Sequence, residues 1–235
     1  MVSWSPNSAL VRAFRSRAAL AQSARAAVTA GGRVADLRRD AWGHGLLPVA
    51  QAVVAAGARA VRVDTPLEAE ALSLEGVVAS IDEPADIDPL LLYGLPDADG
   101  RRSTAPVLRL AGRVLSTKPL RAGESVSYGY TFRASEDTAV ALVTGGYAQG
   151  IVRALGNRAE VEIDGALHPI VGRVAMDVCV VEIGDAEVRL GAEATFFGGR
   201  GAAIDALSSW SRVTGLSAAE LVTVPGLRGV REWES

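Results

Sequence analysis

The segment PIVGRVAMDVCVVEIGD, residues 169–185, decides the fold class of this chain. It contains two short runs rich in Val and Ile on either side of a glycine-containing polar stretch, a pattern typical of consecutive β-strands. The same texture extends outward from Pro106 to about residue 200. The further runs are VLRLAGRVLS (107–116), SVSYG (125–129), TAVALVT (138–144), AEVEID (159–164) and EATFF (193–197). Short strands separated by turn residues at this spacing predict an antiparallel, barrel-like β-domain.

The first third of the chain has a different texture, in which helix-like and strand-like segments alternate. Strands are predicted at 33–38 and 59–63 and helices at 46–58 and 66–74, with DAWGHG (40–45) as a glycine-punctuated loop. This alternation predicts a βαβα unit with parallel strands.

Residues 80–105 are acidic and rich in Pro and Gly, which predicts linkers around one further strand, LLLYGL (90–95). The acids Asp82, Glu83, Asp86 and Asp88 are interpreted as a solvated linker face. The predicted class is therefore α+β, with a βαβα unit plus one strand in a domain 1–105. A β-domain over 106–235 follows, closed by helices at 203–214 and 217–222.

The first 35 residues contain five arginines and no acid. A transit peptide is one interpretation, and an amphipathic first helix is the favoured one, because Leu10, Phe14 and Ala18 recur at helical spacing. With no export signal and Cys179 as the one cysteine, we expect a cytoplasmic protein without a disulfide.

The composition excludes several classes of protein. A net charge of −3, with acids and arginines intermixed after residue 35, indicates neither a nucleic-acid partner nor a membrane partner. No apolar run approaches the ~18–20 residues that a membrane span needs. Two histidines and one cysteine predict no metal cluster. The chain has one lysine, Lys118, so chemistry that needs a lysine amine depends on that residue.

Several segments together resemble the alanine racemase family: DAWGHG (40–45), RAGESVSYGYTF (121–132), GGYAQGIVRALGNRAEVEIDG (145–165), PIVGRVAMDVCVVEIGD (169–185) and FFGG (196–199). The resemblance implies an eight-stranded βα-barrel that holds pyridoxal phosphate, followed by a C-terminal β-domain, usually in a head-to-tail dimer. Three predicted strands precede Pro106, and five more βα units cannot fit in a 26-residue linker. We therefore expect a truncated barrel fragment and, because such a fragment exposes apolar edges, a homodimer.

The resemblance also implies that the coenzyme machinery has been lost. Arg38 stands where the family has the lysine that forms the imine, and a protonated, delocalised guanidinium is a poor amine nucleophile. Ile87 stands in place of the arginine that meets the ring nitrogen, and Pro89, which lacks an N–H, in place of a phosphate-cradling glycine. Trp42 and Trp233 replace two tyrosines. We therefore expect no pyridoxal phosphate, and hence an inactive interaction or regulatory module.

Other family positions are retained. Tyr147 matches the second catalytic base, and Arg173, Met176 and Asp177 match residues around substrate entry and carboxylate binding. Each also has a structural interpretation, as a packing or turn residue, which we favour.

Two alternatives stay open. A remnant pocket around Trp42, His44, Trp233 and Tyr147 could bind a small molecule or support other chemistry without the coenzyme. A working racemase would require a lysine-free imine or a partner chain that donates the missing barrel.

Overall fold

The computed structural model describes residues 11–234, which form two compact units. The β unit consists of residues 11–14, Arg109–Ser217 and Arg228–Glu232. The α/β unit consists of Arg15–Leu108, Ala218–Leu227 and residues 233–234. Each unit is therefore assembled from separate segments of the chain. The sequence-based boundary between 105 and 106 stays a prediction.

The secondary-structure elements follow one another along the chain. The strands are β1 (Arg12–Ser16), β2 (Val34–Asp36), β3 (Ala60–Arg62), β4 (Ala79–Ser80), β5 (Leu108–Leu120), β6 (Ser125–Val126), β7 (Phe132–Arg133), β8 (Thr138–Thr144), β9 (Glu160–Ile163), β10 (Ala166–Val171), β11 (Val178–Glu182), β12 (Glu193–Phe197) and β13 (Val230–Glu234). The helices are α1 (Arg17–Thr29), α2 (Arg38–Trp42), α3 (Leu46–Ala55), α4 (Pro66–Leu74), α5 (Pro89–Tyr93), α6 (Ala206–Thr214) and α7 (Ala218–Arg228).

The β unit contains a closed barrel. Its six strands follow the order β12-β9-β10-β11-β8-β5, and β5 also pairs with β12 to close the ring. The pairings within the ring are antiparallel. The predicted antiparallel, barrel-like β-domain is confirmed. Closure matters because it leaves these six strands without an unpaired edge.

Side chains of the barrel strands alternate between the interior and the surface of the barrel. One irregularity, in β12, places an additional side chain in the core. The register of β12 against β5 shifts between Thr195 and Phe197. Phe196 and Phe197 are both fully buried, although neighbours on a regular strand face opposite sides. Trp210 of α6 packs edge-on against Phe197, with ring centroids 5.4 Å apart.

The α/β unit is built on a parallel sheet in the order β2-β3-β4. Helix α3 connects β2 to β3, and α4 connects β3 to β4, which confirms the predicted βαβα order. Helix α4 begins where the sequence predicts. Pro66 occupies its first turn, and Thr65 and Glu68 form a reciprocal capping box.

The strand predicted at 90–95 is wrong, because this segment forms helix α5. Asp88 accepts a hydrogen bond from the Leu90 N–H at 2.8 Å, Pro89 fits the first turn, and Gly94 ends the helix in the left-handed conformation. The third parallel strand is β4, which comes earlier in the chain.

The first helix also differs from the prediction. It begins at Arg17, with the Ser16 hydroxyl accepting a hydrogen bond from the Ala19 N–H. Phe14 lies in β1, next to β5 in the sheet of the β unit. Of the other two residues of the predicted spacing, Ala18 lies in α1, and Leu10 lies outside the described residues. The sequence prediction therefore missed a strand and placed the helix start too early.

The segment 40–45, which the sequence predicts as a loop, begins within a regular left-handed turn. Residues Arg39, Asp40, Ala41 and Trp42 have φ angles of 55°, 55°, 52° and 55°, which form a left-handed turn. The Asp40 carboxylate accepts a hydrogen bond from the Leu46 N–H at 2.6 Å and so ties this turn to the start of α3.

The solvated face predicted for Asp82, Glu83, Asp86 and Asp88 is confirmed for Asp82, Asp86 and Asp88, which are exposed, but the segment is more than a free linker. Asp86 Oδ1 accepts hydrogen bonds from the N–H groups of Arg33 and Val34, both at 2.7 Å. Glu83 forms an ion pair with Arg59, and Asp88 caps α5. Asp86 therefore fastens the segment to β2, and Glu83 fastens it to the residue before β3.

Within residues 11–234, no helix is both long enough and apolar enough to cross a bilayer.

Candidate functional site

Arg38 begins α2, just beyond the carboxyl end of β2. Its guanidinium forms a two-pronged ion pair with Asp36: Nε lies 2.9 Å from Oδ1, and Nη2 lies 2.6 Å from Oδ2. The hydrogen bond and charge of Asp36 raise the pKa of Arg38. Burial raises the pKa of Asp36, but the hydrogen bonds and charge of Arg38 outweigh it and leave that pKa lowered. The guanidinium therefore stays charged and is held by the carboxylate at the end of β2.

Ile87 and Pro89 serve the packing of the α/β unit. Ile87 is buried, and its N–H donates to the Val34 carbonyl at 3.0 Å. A Cβ on Gly32 would lie 2.5 Å from Ile87 Cγ1, so the glycine leaves room for this side chain. Pro89 lies in the first turn of α5. Neither residue offers a side-chain donor to an anion or to a ring nitrogen.

His44 lies in a buried aromatic cluster. Its ring stacks on Tyr93 with centroids 4.2 Å apart, and Trp42 lies 5.5 Å from Tyr93. His44 Nδ1 is 3.0 Å from the Ala41 carbonyl oxygen. Burial lowers the pKa of His44 to about 4, and burial raises the pKa of Tyr93. The histidine is therefore neutral and the phenol un-ionised, and within the described residues neither His44 Nε2 nor Tyr93 Oη has a hydrogen-bond partner.

Trp233 lies beside two arginines. The Arg15 guanidinium carbon is 4.5 Å from the ring centre of Trp233, and that of Arg17 is 4.8 Å away. Arg15 also donates from Nη1 to the His44 carbonyl at 3.1 Å. A cavity of about 260 Å³ is lined by Arg17, Leu20, Pro48, Gln51, Ala52 and Trp233. Of the residues predicted to form a remnant pocket, this cavity includes Trp233 but neither Trp42 nor His44.

Tyr147, Met176 and Asp177 come together in the β unit. The Tyr147 N–H donates to the Ala175 carbonyl at 3.0 Å, and Gln149 Nε2 donates to Asp177 Oδ1 at 2.8 Å. A Cβ on Gly146 would lie 2.4 Å from the Ala175 carbonyl oxygen, so only glycine allows these two loops to approach. The side chains of Tyr147 and Met176 are exposed.

Arg173 belongs to a neighbouring group that sequence reasoning missed. The guanidinium carbons of Arg173 and Arg153 lie 5.8 Å and 5.0 Å from the ring centre of Tyr128. The Ser127 hydroxyl donates to the Arg173 carbonyl at 2.7 Å. The two tyrosines in SYGY (127–130) were the available signal, because aromatic residues in a turn are often exposed for contact.

The described residues hold no group of three or more His, Cys, Asp or Glu side chains that could bind a metal ion. Lys118 is exposed on β5, opposite Val140 of β8. It belongs to the β unit, whereas Arg38, Ile87 and Pro89 belong to the α/β unit. The α/β unit therefore contains no lysine.

Residues 107–233 match the family model described as "Alanine racemase, C-terminal domain". An alanine racemase of Mycolicibacterium vanbaalenii is 40% identical over 130 residues, which are 54% of this chain and 33% of that protein. One of Mycobacterium avium is 38% identical over 148 residues, 61% of this chain and 38% of that protein. The chain thus matches about a third of the length of these relatives.

Solved structures show the same fold at lower identity. Alanine racemase from Streptomyces coelicolor A3(2) aligns with a TM-score of 0.78 at 21% identity, across 96% of this chain and 98% of that one. The enzyme from the D-cycloserine producing Streptomyces lavendulae aligns with a TM-score of 0.80 at 20% identity, across 99% and 98%. The chain has an alanine racemase-like fold with the C-terminal β-domain, and since the family model covers more than half of its residues, it belongs to the alanine racemase family.

Proposed function

We propose that this chain is a catalytically inactive member of the alanine racemase family that acts as an interaction or regulatory module in the cytoplasm. One observation carries the proposal: where the resemblance implies the imine-forming lysine, Arg38 is held by Asp36 in a two-pronged ion pair. A guanidinium held in this way is neither a nucleophile for an aldehyde nor a base for an α-proton.

The other residues do not fit pyridoxal phosphate either. The coenzyme needs N–H donors for its phosphate and a polar partner for its ring nitrogen. Pro89 has no N–H to offer, and Ile87 is a buried aliphatic side chain. The three-stranded parallel sheet supports the further proposal that the barrel is truncated, because an eight-stranded βα-barrel needs five more βα units.

A racemisation assay tests the loss of activity. Purified protein incubated with pyridoxal phosphate and L-alanine should form no D-alanine above the level of a protein-free control, as measured by chiral chromatography. The variant Arg38→Lys should also form none, because it restores an amine but no phosphate donor. Formation of D-alanine by the unmodified chain would contradict the proposal.

We further propose that the chain forms a homodimer in which the βαβα fragment of one copy packs against the β-domain of the other. The support is a group of exposed apolar side chains on the β unit, since surfaces of this kind mark contact sites. They are Tyr128, Tyr130, Tyr147 and Met176.

Light scattering at micromolar concentration should give the mass of two chains. The variant Tyr130→Ser should shift the mass toward that of one chain, because Tyr130 is the most exposed of these side chains. A stable monomer of the unmodified chain would rule the dimer out.

A further inference from the structure

Helix α4 carries an apolar side that nothing covers within the described part of the chain. Leu67, Ala71 and Leu74 follow the i, i+4, i+7 spacing that places side chains on one side of a helix. All three are exposed, Leu67 to 74% and Leu74 to 86%. Of the residues of α4, Leu72 is the buried one. Two leucines this exposed on one side of a helix indicate a surface that lacks its partner.

The strand that follows α4 is an open edge. In the order β2-β3-β4, strand β4 pairs with β3 and has no second neighbour among residues 11–234. Exposed apolar side chains flank this strand, Val78 at 63% and Ile81 at 37%. An edge strand presents unpaired N–H and C=O groups along its free side, so it can accept another strand.

The charge of this region indicates which partner would fit. Residues 63–100 contain no Lys or Arg, in a chain whose net charge is only −3. Among their acids, Glu70, Glu75 and Asp82 are exposed, whereas Glu83 and Asp86 already have partners within the chain. Two copies that each used this surface to meet would bring like charges together, whereas a basic segment would be attracted.

We propose that the outer side of α4 and the free edge of β4 form a docking surface for an extended protein segment in which Arg or Lys alternates with apolar residues. The backbone of that segment adds to β4 as a fourth strand. Its apolar side chains cover Leu74 and Val78, and its cations face Glu75 and Asp82. The proposal rests on the proposed interaction module and gives the chemistry of its partner.

A labelled peptide of sequence RVRVRVR is the probe, and fluorescence anisotropy is the readout. The full chain should bind it, and high salt should weaken the binding. The double variant Leu74→Gln/Val78→Gln should bind at least about tenfold more weakly, because two apolar contacts are lost. The peptide RGRGRGR, with the same charge and no apolar side chains, should bind as weakly as the double variant. The control Leu190→Gln changes another exposed leucine, on the β unit, and should bind like the unmodified chain.

The docking surface is overturned if RVRVRVR does not bind, if the double variant binds it equally well, or if RGRGRGR binds as tightly as RVRVRVR. A double variant that turns a dimer into a monomer would assign the surface to a second copy and would also overturn the proposal. The racemisation assay is independent of these outcomes, so failure of peptide binding and failure of the proposed inactivity are distinguishable.

Discussion

Replacing Gly94 with alanine is expected to lower the free energy of unfolding of the chain by more than about 3 kcal/mol, or to prevent folding. Gly94 ends α5 with a φ of +63°, and a Cβ there would lie 1.9 Å from the carbonyl oxygen of Ala105. The obstacle is backbone, which cannot rotate away as a flexible side chain can. The segment that leads into β5 would have to move.

The matched control is Gly76→Ala. Gly76 also has a positive φ, +76°, but no atom lies within 4 Å of the position of its Cβ. This variant should lose only the cost of the left-handed conformation, about 1–2 kcal/mol. Urea unfolding followed by circular dichroism measures both. Equal losses in the two variants would show that the contact with Ala105 does not matter.

The second large effect is a loss of stability in mild acid. Burial lowers the pKa of His44 from its ordinary 6.5 to about 4 in the folded chain. The unfolded chain therefore takes up a proton first as the pH falls. The stabilisation from neutral His44 is fully present above pH 6.5 and is lost as the pH drops toward 4. A difference of this size corresponds to about 3 kcal/mol across that window.

The variant His44→Phe isolates this effect, because phenylalanine keeps an aromatic ring against Tyr93 and does not titrate. Carboxylates contribute to acid sensitivity in both proteins, so the quantity to compare is the difference between their unfolding free energies at each pH. We expect the unmodified chain to lose stability relative to the variant between pH 6.5 and 4. Parallel pH profiles would contradict a buried, neutral His44.

The β-domain could be predicted from sequence because its local signals agree with one another. Strands such as β8 and β11 are short β-branched runs with turn residues on both sides, and barrel closure leaves the chain few other ways to bury them. In contrast, LLLYGL is apolar throughout, and six residues without periodicity fit a buried strand and a buried helix equally well. Asp88-Pro89 before the segment and Gly94 near its end are typical of helix caps. These signals predict a helix here and distinguish it from a strand.

The left-handed turn at 39–42 had no comparable signal. Arg39, Ala41 and Trp42 do not favour a positive φ, so contacts with other segments hold the turn, such as the hydrogen bond that the Arg39 N–H donates to Asp64. At the candidate site, the replacements at Arg38, Ile87 and Pro89 stay a prediction from the resemblance. The sequence could not identify the ion pair with Asp36 or the stacking of His44 on Tyr93, because these depend on side-chain placement in three dimensions.

The most direct test of the proposed loss of coenzyme chemistry is reductive trapping. The protein is incubated with equimolar pyridoxal phosphate, reduced with borohydride, digested and analysed by mass spectrometry, with a full-length alanine racemase in parallel. We expect stoichiometric labelling of one lysine in the control and, in this chain, at most traces on the N-terminal amine and on exposed Lys118, the latter absent from the variant Lys118→Arg. Stoichiometric labelling of any residue of this chain would contradict the account.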